Sequence, residues 1–245
     1  MSILNINKIG QGSQALVLLH GWGFDQRIWH SLLPKLSKNF TCYLVDLPGF
    51  GESNLMHWEE FKSKLLNYLP ERFAILGWSL GGLFATKLAI EVPLRLTHLV
   101  NVTSSPFFIK EIKWPGIERL TLERFFINLS RDPKRTTMEF ITLQLRNFPL
   151  KNLKFDLSEF SSSQEALTNG LFILANWDLR ADLTQLRIKT CYMFGRLDAI
   201  VPRQLALQMQ ELHPYFNYIL FHKAAHMPFI THPEDFIFEL ENFLL

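Results

Sequence analysis

Short apolar runs alternate with longer segments of helical periodicity from the start of the chain to about residue 105. Each run is rich in aliphatic or aromatic residues and precedes Gly, Pro or Ser, which is typical of buried strands. The predicted strands are 15–19, 42–45, 73–76 and 96–102. The predicted helices between them are 29–36, 58–69 and 80–92. This alternation predicts a mostly parallel sheet with helices on both faces.

The alternation stops after Thr103 and resumes near residue 190. Between these points only helical stretches occur, notably 117–129 and 134–145. Beyond them the pattern predicts strands at 190–194 and 218–221 and helices near 203–212 and at 233–244. We therefore expect an α/β fold whose core is formed by residues 1–106 and 178–245. Residues 107–177 are expected to form a helical cap over the carboxyl edge of the sheet, where ligands bind in open α/β sheets.

A candidate nucleophile lies between a predicted strand and a predicted helix. Gly77-Trp-Ser79-Leu-Gly81 matches the pattern G-x-S-x-G. A sharp strand-to-helix turn holds such a serine in a strained conformation with its hydroxyl exposed above the sheet, and it requires small neighbours on both sides. The alternative interpretation is a chance glycine-serine turn, but the flanking strand and helix favour a nucleophile at Ser79.

Two backbone amides are candidates for an oxyanion hole. Leu80 N–H would lie at the start of the helix after Ser79, and Trp22 N–H would come from the glycine-rich loop after the first predicted strand. His20 precedes Ser79, whereas the base follows the nucleophile in this type of fold, so we assign His20 to loop structure. Asp46 precedes a Pro-Gly turn and is also assigned a structural role.

An aspartate and a histidine follow the last two predicted strands. Asp198 could accept a hydrogen bond from His226, and His226 could take the proton of Ser79. The chain order Ser, Asp, His is that of α/β hydrolases. For Asp198, a solvated loop or helix-capping role is the alternative. Rival acids and bases with weaker sequence context are Asp178, Asp182, His222 and His232.

Composition narrows the range of functions. The chain of 245 residues is 48% hydrophobic and 20% charged, with a net charge of +2, which argues against disorder and against nucleic-acid binding. No H-E-x-x-H or G-x-G-x-x-G spacing occurs, so we expect no metal and no cofactor. Cys42 and Cys191 lie in apolar runs, and neither a signal peptide nor a membrane span is predicted. We expect a cytoplasmic monomer.

Further motifs make the likeness to one family specific. They are LLHGWG, VDLPGFGES, LGWSLGG, WPG, FITLQ, WDLR, GRLDAIVPR and FHKAAHMPFITHP. Together they run from residue 19 to residue 233. In order and spacing the chain resembles the pimeloyl-acyl-carrier-protein methyl ester esterases of biotin synthesis. The short motifs WPG, LQ and WDLR and the GWSLGG segment around Ser79 discriminate better than the triad, which many hydrolases share.

The resemblance implies a fold, a reaction and a set of site residues. The fold is an α/β-hydrolase core with a small helical cap, and the reaction removes the methyl group from a pimeloyl chain carried on acyl carrier protein. The implied triad is Ser79, Asp198 and His226. The residues implied at the ester end and along the substrate channel are Trp22, Leu80, Phe140, Ile141, Thr142, Leu143 and Gln144.

The charge distribution gives separate support for an acidic partner. Residues 108–154 carry ten Lys or Arg and five Asp or Glu, a balance of +5 in a chain of +2. A cationic cap would steer acyl carrier protein toward the site, with Arg135 and Arg146 as docking candidates. Glu139 stands where the family's helix predicts a second arginine. An ordinary solvated helical face is the alternative.

Other functions remain open at this point because fold alone does not separate them. The enzymatic alternatives are a broad short-chain carboxylesterase, a carbon–carbon bond hydrolase and a thioesterase. A ligand-binding receptor with a triad-like site is the alternative from another class. Haloalkane dehalogenases and epoxide hydrolases are disfavoured because they need an aspartate where this chain has Ser79.

Overall fold

The core of the protein is a seven-stranded sheet, seen in a computed structural model that describes residues 2–146, 148–153, 156, 160 and 162–245. The strand order is β1-β3-β2-β4-β5-β6-β7. Only β1 is antiparallel to its neighbour, and the other strands pair in parallel. The strands are β1 Ile6–Ile9, β2 Gln14–Leu19, β3 Phe40–Val45, β4 Phe73–Trp78, β5 Leu96–Val102, β6 Lys189–Gly195 and β7 Asn217–Phe221.

The edge strand β1 is absent from the sequence prediction. It pairs with β3 from Ile6 opposite Val45 to Ile9 opposite Cys42. Three of its four residues are exposed, so it contributes little apolar patterning. A short, polar edge strand is stabilised by backbone pairing with its neighbour, and periodicity does not reveal such pairing.

The helices lie close to where the sequence predicts them, with some shifted bounds and three additional helices. They are α1 Leu33–Asn39, α2 Trp58–Tyr68, α3 Leu80–Glu91, α4 Arg119–Arg131, α5 Pro133–Leu145, α6 Gln164–Asn176, α7 Arg180–Leu183, α8 Arg203–Leu212, α9 Pro228–Thr231 and α10 Pro233–Leu244. The additional helices are α6, α7 and α9. The predicted helix at 29–36 begins at Leu33, with Pro34 in its first turn. None of the helices among the described residues has both the length and the apolar character needed to cross a membrane.

Successive residues of the central strands face two separate apolar layers. In β2, Val17 and Leu19 pack in the layer that contains residues of α2, α3 and α8. Leu16 and Leu18 pack in the layer that contains residues of α1 and α10. The predicted α/β architecture, a mostly parallel sheet with helices on both faces, is therefore confirmed.

The segment between β5 and β6 holds helices α4 to α7. Among its described residues, strand-like pairing is limited to isolated bridges between Ile109 and Ile117 and between Glu111 and Trp114. Leu167 and Leu171 of α6 are buried in the same layer as residues of α3, so this helix packs directly on the core. The cap boundaries 107–177 stay a prediction.

Candidate active site

The register of the parallel strands brings the candidate residues to one edge of the sheet. Leu19 is paired with Gly77, and Trp78 is paired with Val102. Farther across the sheet, Gly195 is paired with Phe221. These positions are at the carboxyl ends of β2, β4, β5, β6 and β7. The loops that carry Trp22, Ser79, Asp198 and His226 therefore begin side by side.

Ser79 occupies a strained turn between β4 and α3. Its φ is 54° and its ψ is −115°, a conformation that side-chain-bearing residues rarely adopt. A Cβ on Gly77 would lie 2.2 Å from Gly81 O, and one on Gly81 would lie 2.4 Å from Leu19 O. Because backbone atoms cannot give way at these distances, the turn requires glycine on both sides of Ser79.

The two predicted oxyanion donors lie in the expected elements. Leu80 is the first residue of α3, where amides have no acceptor within the helix. Neither Leu80 N nor Trp22 N donates a hydrogen bond to an acceptor in the described part of the chain. The Trp22 indole donates to Leu167 O at 2.8 Å, and its ring meets Phe140 edge-on at 5.2 Å. Helices α5 and α6 thus hold the Trp22 side chain.

The candidate acid and the candidate base form a direct hydrogen bond. His226 Nδ1 donates to Asp198 Oδ2 at 2.7 Å, since a carboxylate only accepts. The other oxygen, Oδ1, accepts from the amides of Ile200 at 2.8 Å and Val201 at 3.1 Å. His226 Nε2 is buried and has no hydrogen-bond partner among the described residues. The hydrogen bond from Ser79 to His226 is therefore not formed in this structure.

The main chain of His226 is tied to three other elements. Its carbonyl accepts from the Trp78 indole at 2.9 Å and from the Thr103 hydroxyl at 2.8 Å. Its amide donates to Gln144 O, at the end of α5, at 3.1 Å. These bonds hold the base beside the nucleophile turn. Ser79 is 4% exposed and His226 is 1% exposed, so the site is closed to solvent.

The predicted channel segment of α5 has two faces. Ile141 and Gln144 are buried and Phe140 is half-buried, whereas Thr142 and Leu143 are exposed. Five consecutive helical residues cannot all line one channel, because each is rotated by about 100° from the last. Within the segment, only Phe140, Ile141 and Gln144 face inward.

The two predicted docking arginines already make hydrogen bonds within the protein. Arg135 Nε donates to Glu139 Oε1 at 2.8 Å, and both side chains are exposed. Arg146 follows α5 with a φ of 48°, and its Nη1 donates to Leu197 O at 2.7 Å. Arg146 thus joins the end of α5 to the loop that carries Asp198.

The hydrogen bonds of His20 and Asp46 connect loops and do not involve the proposed triad. His20 Nδ1 donates to Gly21 O at 2.8 Å, and its Nε2 accepts from Leu47 N at 2.9 Å. Burial lowers the pKa of His20, despite the opposing effect of the Asp46 charge. Asp46 accepts hydrogen bonds from Asn5, Gln26 and Glu52. These contacts agree with the structural roles that the sequence predicts.

The rival residues lie in ordinary surface environments. Asp178 forms an ion pair with Arg180 at 2.6 Å, and His222 is exposed. His232 is bonded to the Thr231 hydroxyl next to α10. In the part of the chain that the structure describes, no three metal-ligating side chains form a group.

Sequence reasoning missed three contributors to the site. They are the Thr103 hydroxyl, the Trp78 indole and the main-chain carbonyl of Gln144, all of which contact the main chain of His226. Thr103 directly follows β5, as Ser79 directly follows β4. Position after a strand end was thus the signal that could have identified it.

The comparisons with known proteins agree with this architecture. Residues 16–240 match the family model described as "Alpha/beta hydrolase family". Among solved structures, an esterase from Exiguobacterium antarcticum superposes with a TM-score of 0.90 at 20% identity, covering 99% of this chain and 95% of its own. A bromoperoxidase from Bacillus anthracis superposes with a TM-score of 0.89 at 23% identity, covering 99% of this chain and 95% of its own. At such identities these likenesses define the fold alone. The match to the family model over residues 16–240 shows that the chain is an α/β hydrolase.

Sequence relatives define the group more closely. A protein named "Pimeloyl-[acyl-carrier protein] methyl ester esterase" from Legionella pneumophila (strain Corby) is 47% identical, over 98% of this chain and 99% of its own. A protein of the same name from Aliivibrio fischeri (strain ATCC 700601 / ES114) is 42% identical, over 96% of this chain and 95% of its own. The chain belongs to the pimeloyl-[acyl-carrier protein] methyl ester esterase family within the alpha/beta hydrolases.

Proposed function

We propose that this chain hydrolyses the methyl ester of a pimeloyl group carried on acyl carrier protein, giving pimeloyl-acyl carrier protein and methanol. Ser79, His226 and Asp198 are its catalytic triad. The observation that carries the proposal is the 2.7 Å hydrogen bond from His226 to Asp198, on loops beside the strained Ser79. The identity of the substrate is inferred from the names of the relatives at 47% and 42% identity.

In the proposed mechanism Ser79 Oγ attacks the ester carbonyl while His226 Nε2 takes its proton. The developing oxyanion accepts hydrogen bonds from Trp22 N and Leu80 N, each worth about 10²–10³ in rate in comparable enzymes. The imidazolium of His226 then gives this proton to the methoxy oxygen, which leaves as methanol when its bond to the carbonyl carbon breaks. Asp198 stabilises the imidazolium while it exists. In the second half-reaction, water attacks the acyl-enzyme while His226 takes its proton, and Ser79 leaves after receiving that proton from His226.

The inward face of α5 is proposed to hold the acyl chain near the ester. Phe140 and Ile141 offer apolar contact, as a pimeloyl chain requires. Gln144 Nε2 is buried without a hydrogen-bond partner among the described residues, so it is available to donate to an oxygen of the substrate. Thr142 and Leu143 are left out of this proposal because they are exposed.

The carrier protein is proposed to dock on the outer surface of α4 and α5. Several cations there are exposed and form no ion pair among the described residues: Arg119, Arg124, Arg131 and Lys134. Arg135 and Arg146 stay in the proposed surface, although Arg135 is bonded to Glu139. Lys154, which contributes to the cationic balance of the segment, lies outside the described residues. An acidic partner suits this surface.

We also propose that the chain acts in the cytoplasm. Cys42 and Cys191 are both free and buried. Burial raises the pKa of each thiol to about 12, which keeps both in the unreactive protonated form. Free buried thiols are common in reducing compartments.

The test compares three substrates with the purified chain: pimeloyl methyl ester on acyl carrier protein, free dimethyl pimelate, and a short p-nitrophenyl ester. Methanol release and the mass of the carrier protein report the reaction. We expect the carrier-bound ester to give the highest kcat/KM. Cleavage of only the p-nitrophenyl ester would contradict the proposed substrate and favour a short-chain carboxylesterase. Cleavage of none would contradict an esterase function.

A further inference from the structure

Two consecutive hydroxyl groups after β5 contact the main chains of both the proposed nucleophile and the proposed base. Thr103 Oγ1 donates to His226 O at 2.8 Å, and Ser104 Oγ donates to Ser79 O at 2.7 Å. Both residues are buried, at 0% and 1% exposure. The two residues bridge loops that are otherwise separate in sequence. We call Thr103 and Ser104 the hydroxyl clamp.

The backbone at Thr103 is unusual in a way that this bridging explains. Its φ is 41°, a region that β-branched residues rarely adopt. Its amide still donates to Met193 O at 2.7 Å, so the turn begins where the pairing of β5 with β6 ends. A turn at this point allows adjacent side chains to reach two different loops. Strain of this kind persists where surrounding contacts fix it, and it is common at functional sites.

Each clamped carbonyl also accepts a second hydrogen bond. His226 O accepts from the Trp78 indole at 2.9 Å, and Ser79 O accepts from Gly82 N at 2.9 Å. Two hydrogen bonds to each carbonyl therefore restrain the main-chain positions of Ser79 and His226. The distance between Ser79 Oγ and His226 Nε2 depends on those positions, because no direct hydrogen bond joins the two side chains in this structure.

We propose that Thr103 and Ser104 are positioning residues that set the separation between Ser79 and His226 for proton transfer. This inference rests on the proposed function, in which those two residues react together. Both hydroxyls of the clamp donate to main-chain carbonyls, so no contact with the substrate is part of this proposal. It acts through two carbonyl groups, and its loss is expected to lower kcat more than it changes KM, since a misplacement of about 1 Å costs on the order of 10²-fold in rate.

The test is Thr103→Val, which keeps the β-branched shape and removes the hydroxyl. The matched control is Thr190→Val, at the opposite end of the neighbouring strand β6, which removes an equally buried hydroxyl bonded to Ile188 O at 3.0 Å. With a p-nitrophenyl ester, we expect Thr103→Val to lower kcat by about 10- to 100-fold at similar KM. Thr190→Val is expected to keep the wild-type kcat.

Two further variants keep the test decisive if Thr103→Val does not fold. Thr103→Ser restores a hydroxyl and is expected to recover most of the kcat. Ser104→Ala should lower kcat more than Ser105→Ala, which removes the adjacent buried hydroxyl bonded to Phe107 O. Thermal unfolding of every variant identifies losses due to unfolding alone.

The outcomes separate the clamp from the proposed function. An active wild type in which the clamp variants and their controls have equal kcat would overturn the clamp and leave the proposed function intact. A Thr103→Ser variant as slow as Thr103→Val, with Ser104→Ala equal to Ser105→Ala, would do the same. A wild type that hydrolyses no ester would overturn both.

Discussion

Both oxygens of the Asp198 carboxylate accept hydrogen bonds. These bonds determine how the side chain of an asparagine at this position would be oriented. Oδ1 accepts from the Ile200 and Val201 amides, and Oδ2 accepts from His226 Nδ1. In Asp198→Asn the amide oxygen would stay on the backbone amides, so its NH₂ group would face Nδ1. His226 would then carry its proton on Nε2 and could not accept one from Ser79. We expect kcat to fall by about 10⁴-fold.

The control for this variant is Asp178→Asn, which alters a rival acid that forms an ion pair with Arg180. It should keep the wild-type kcat, because a surface pair has little influence on a distant site. Steady-state kinetics and thermal unfolding of both variants check the prediction. A small loss in Asp198→Asn, or a large loss in Asp178→Asn, would show that another acid orients His226.

At the scale of the elements, Asp46 connects the end of β3 to two other segments. Burial tends to raise the pKa of Asp46, but the His20 ring and the hydrogen bonds from Glu52, Gln26 and Asn5 outweigh it and lower this pKa. A lowered folded-state pKa means that the carboxylate stabilises the fold at pH values above its unfolded-state pKa. That contribution is lost as the pH falls through the lowered folded-state pKa.

We therefore expect Asp46→Asn to lower the free energy of unfolding at neutral pH by about 1–3 kcal/mol, since buried donors lose their anionic acceptor. The difference from the wild type should shrink as the pH falls below the ordinary aspartate range. Urea unfolding at a series of pH values measures it, with the exposed Asp182→Asn as control. A difference that stays constant into acid would contradict the role assigned to the Asp46 charge.

The sequence predicts the elements that bury an apolar face. It does not predict an element that is stabilised mainly by backbone pairing with a neighbouring strand. The helices Arg203–Leu212 and Pro233–Leu244 match their predicted bounds because each buries one apolar face. The strand Ile6–Ile9 was missed because its side chains are mostly exposed. The channel assignment of Phe140 to Gln144 stays a prediction. The structure buries Ile141 and Gln144 and exposes Thr142 and Leu143, a division that a sequence motif does not show.

For the whole molecule, the unequal distribution of charge is expected to govern how the carrier-bound substrate arrives. Lys134→Glu combined with Arg135→Glu would reverse two charges on the proposed docking surface. We expect KM for the carrier-bound ester to rise by tenfold or more, on the order of the effect of electrostatic steering. The kinetics with a short p-nitrophenyl ester should stay unchanged.

The control reverses the same number of charges outside α4 and α5, with Lys38→Glu and Lys189→Glu, both exposed positions. It separates a local effect from a change in net charge. Salt should weaken the difference between the two double variants, since exposed charges are screened. Equal effects of the two double variants on the carrier-bound ester would contradict docking on α4 and α5.

The candidate site was predictable in its residues and less so in its arrangement. Ser79, Asp198 and His226 follow strands in the chain order of the fold, and parallel register brings their loops together. The position of Thr103 after a strand end was visible in the sequence, but its partner was not. The hydrogen bonds from the Thr103 and Trp78 side chains to the carbonyl of His226 join residues far apart in sequence. The closed state of the site likewise depends on tertiary packing.

The most direct measurement is covalent labelling with a fluorophosphonate, which reacts with an activated serine, followed by peptide mass spectrometry and an esterase assay. We expect one adduct per chain, on the peptide that contains Ser79, with activity lost in proportion to labelling. Ser79→Ala should remain folded, take up no label and lose activity by about 10⁶-fold. Full esterase activity in Ser79→Ala, or complete inactivation with the adduct on another residue, would contradict the assignment of Ser79 as the nucleophile.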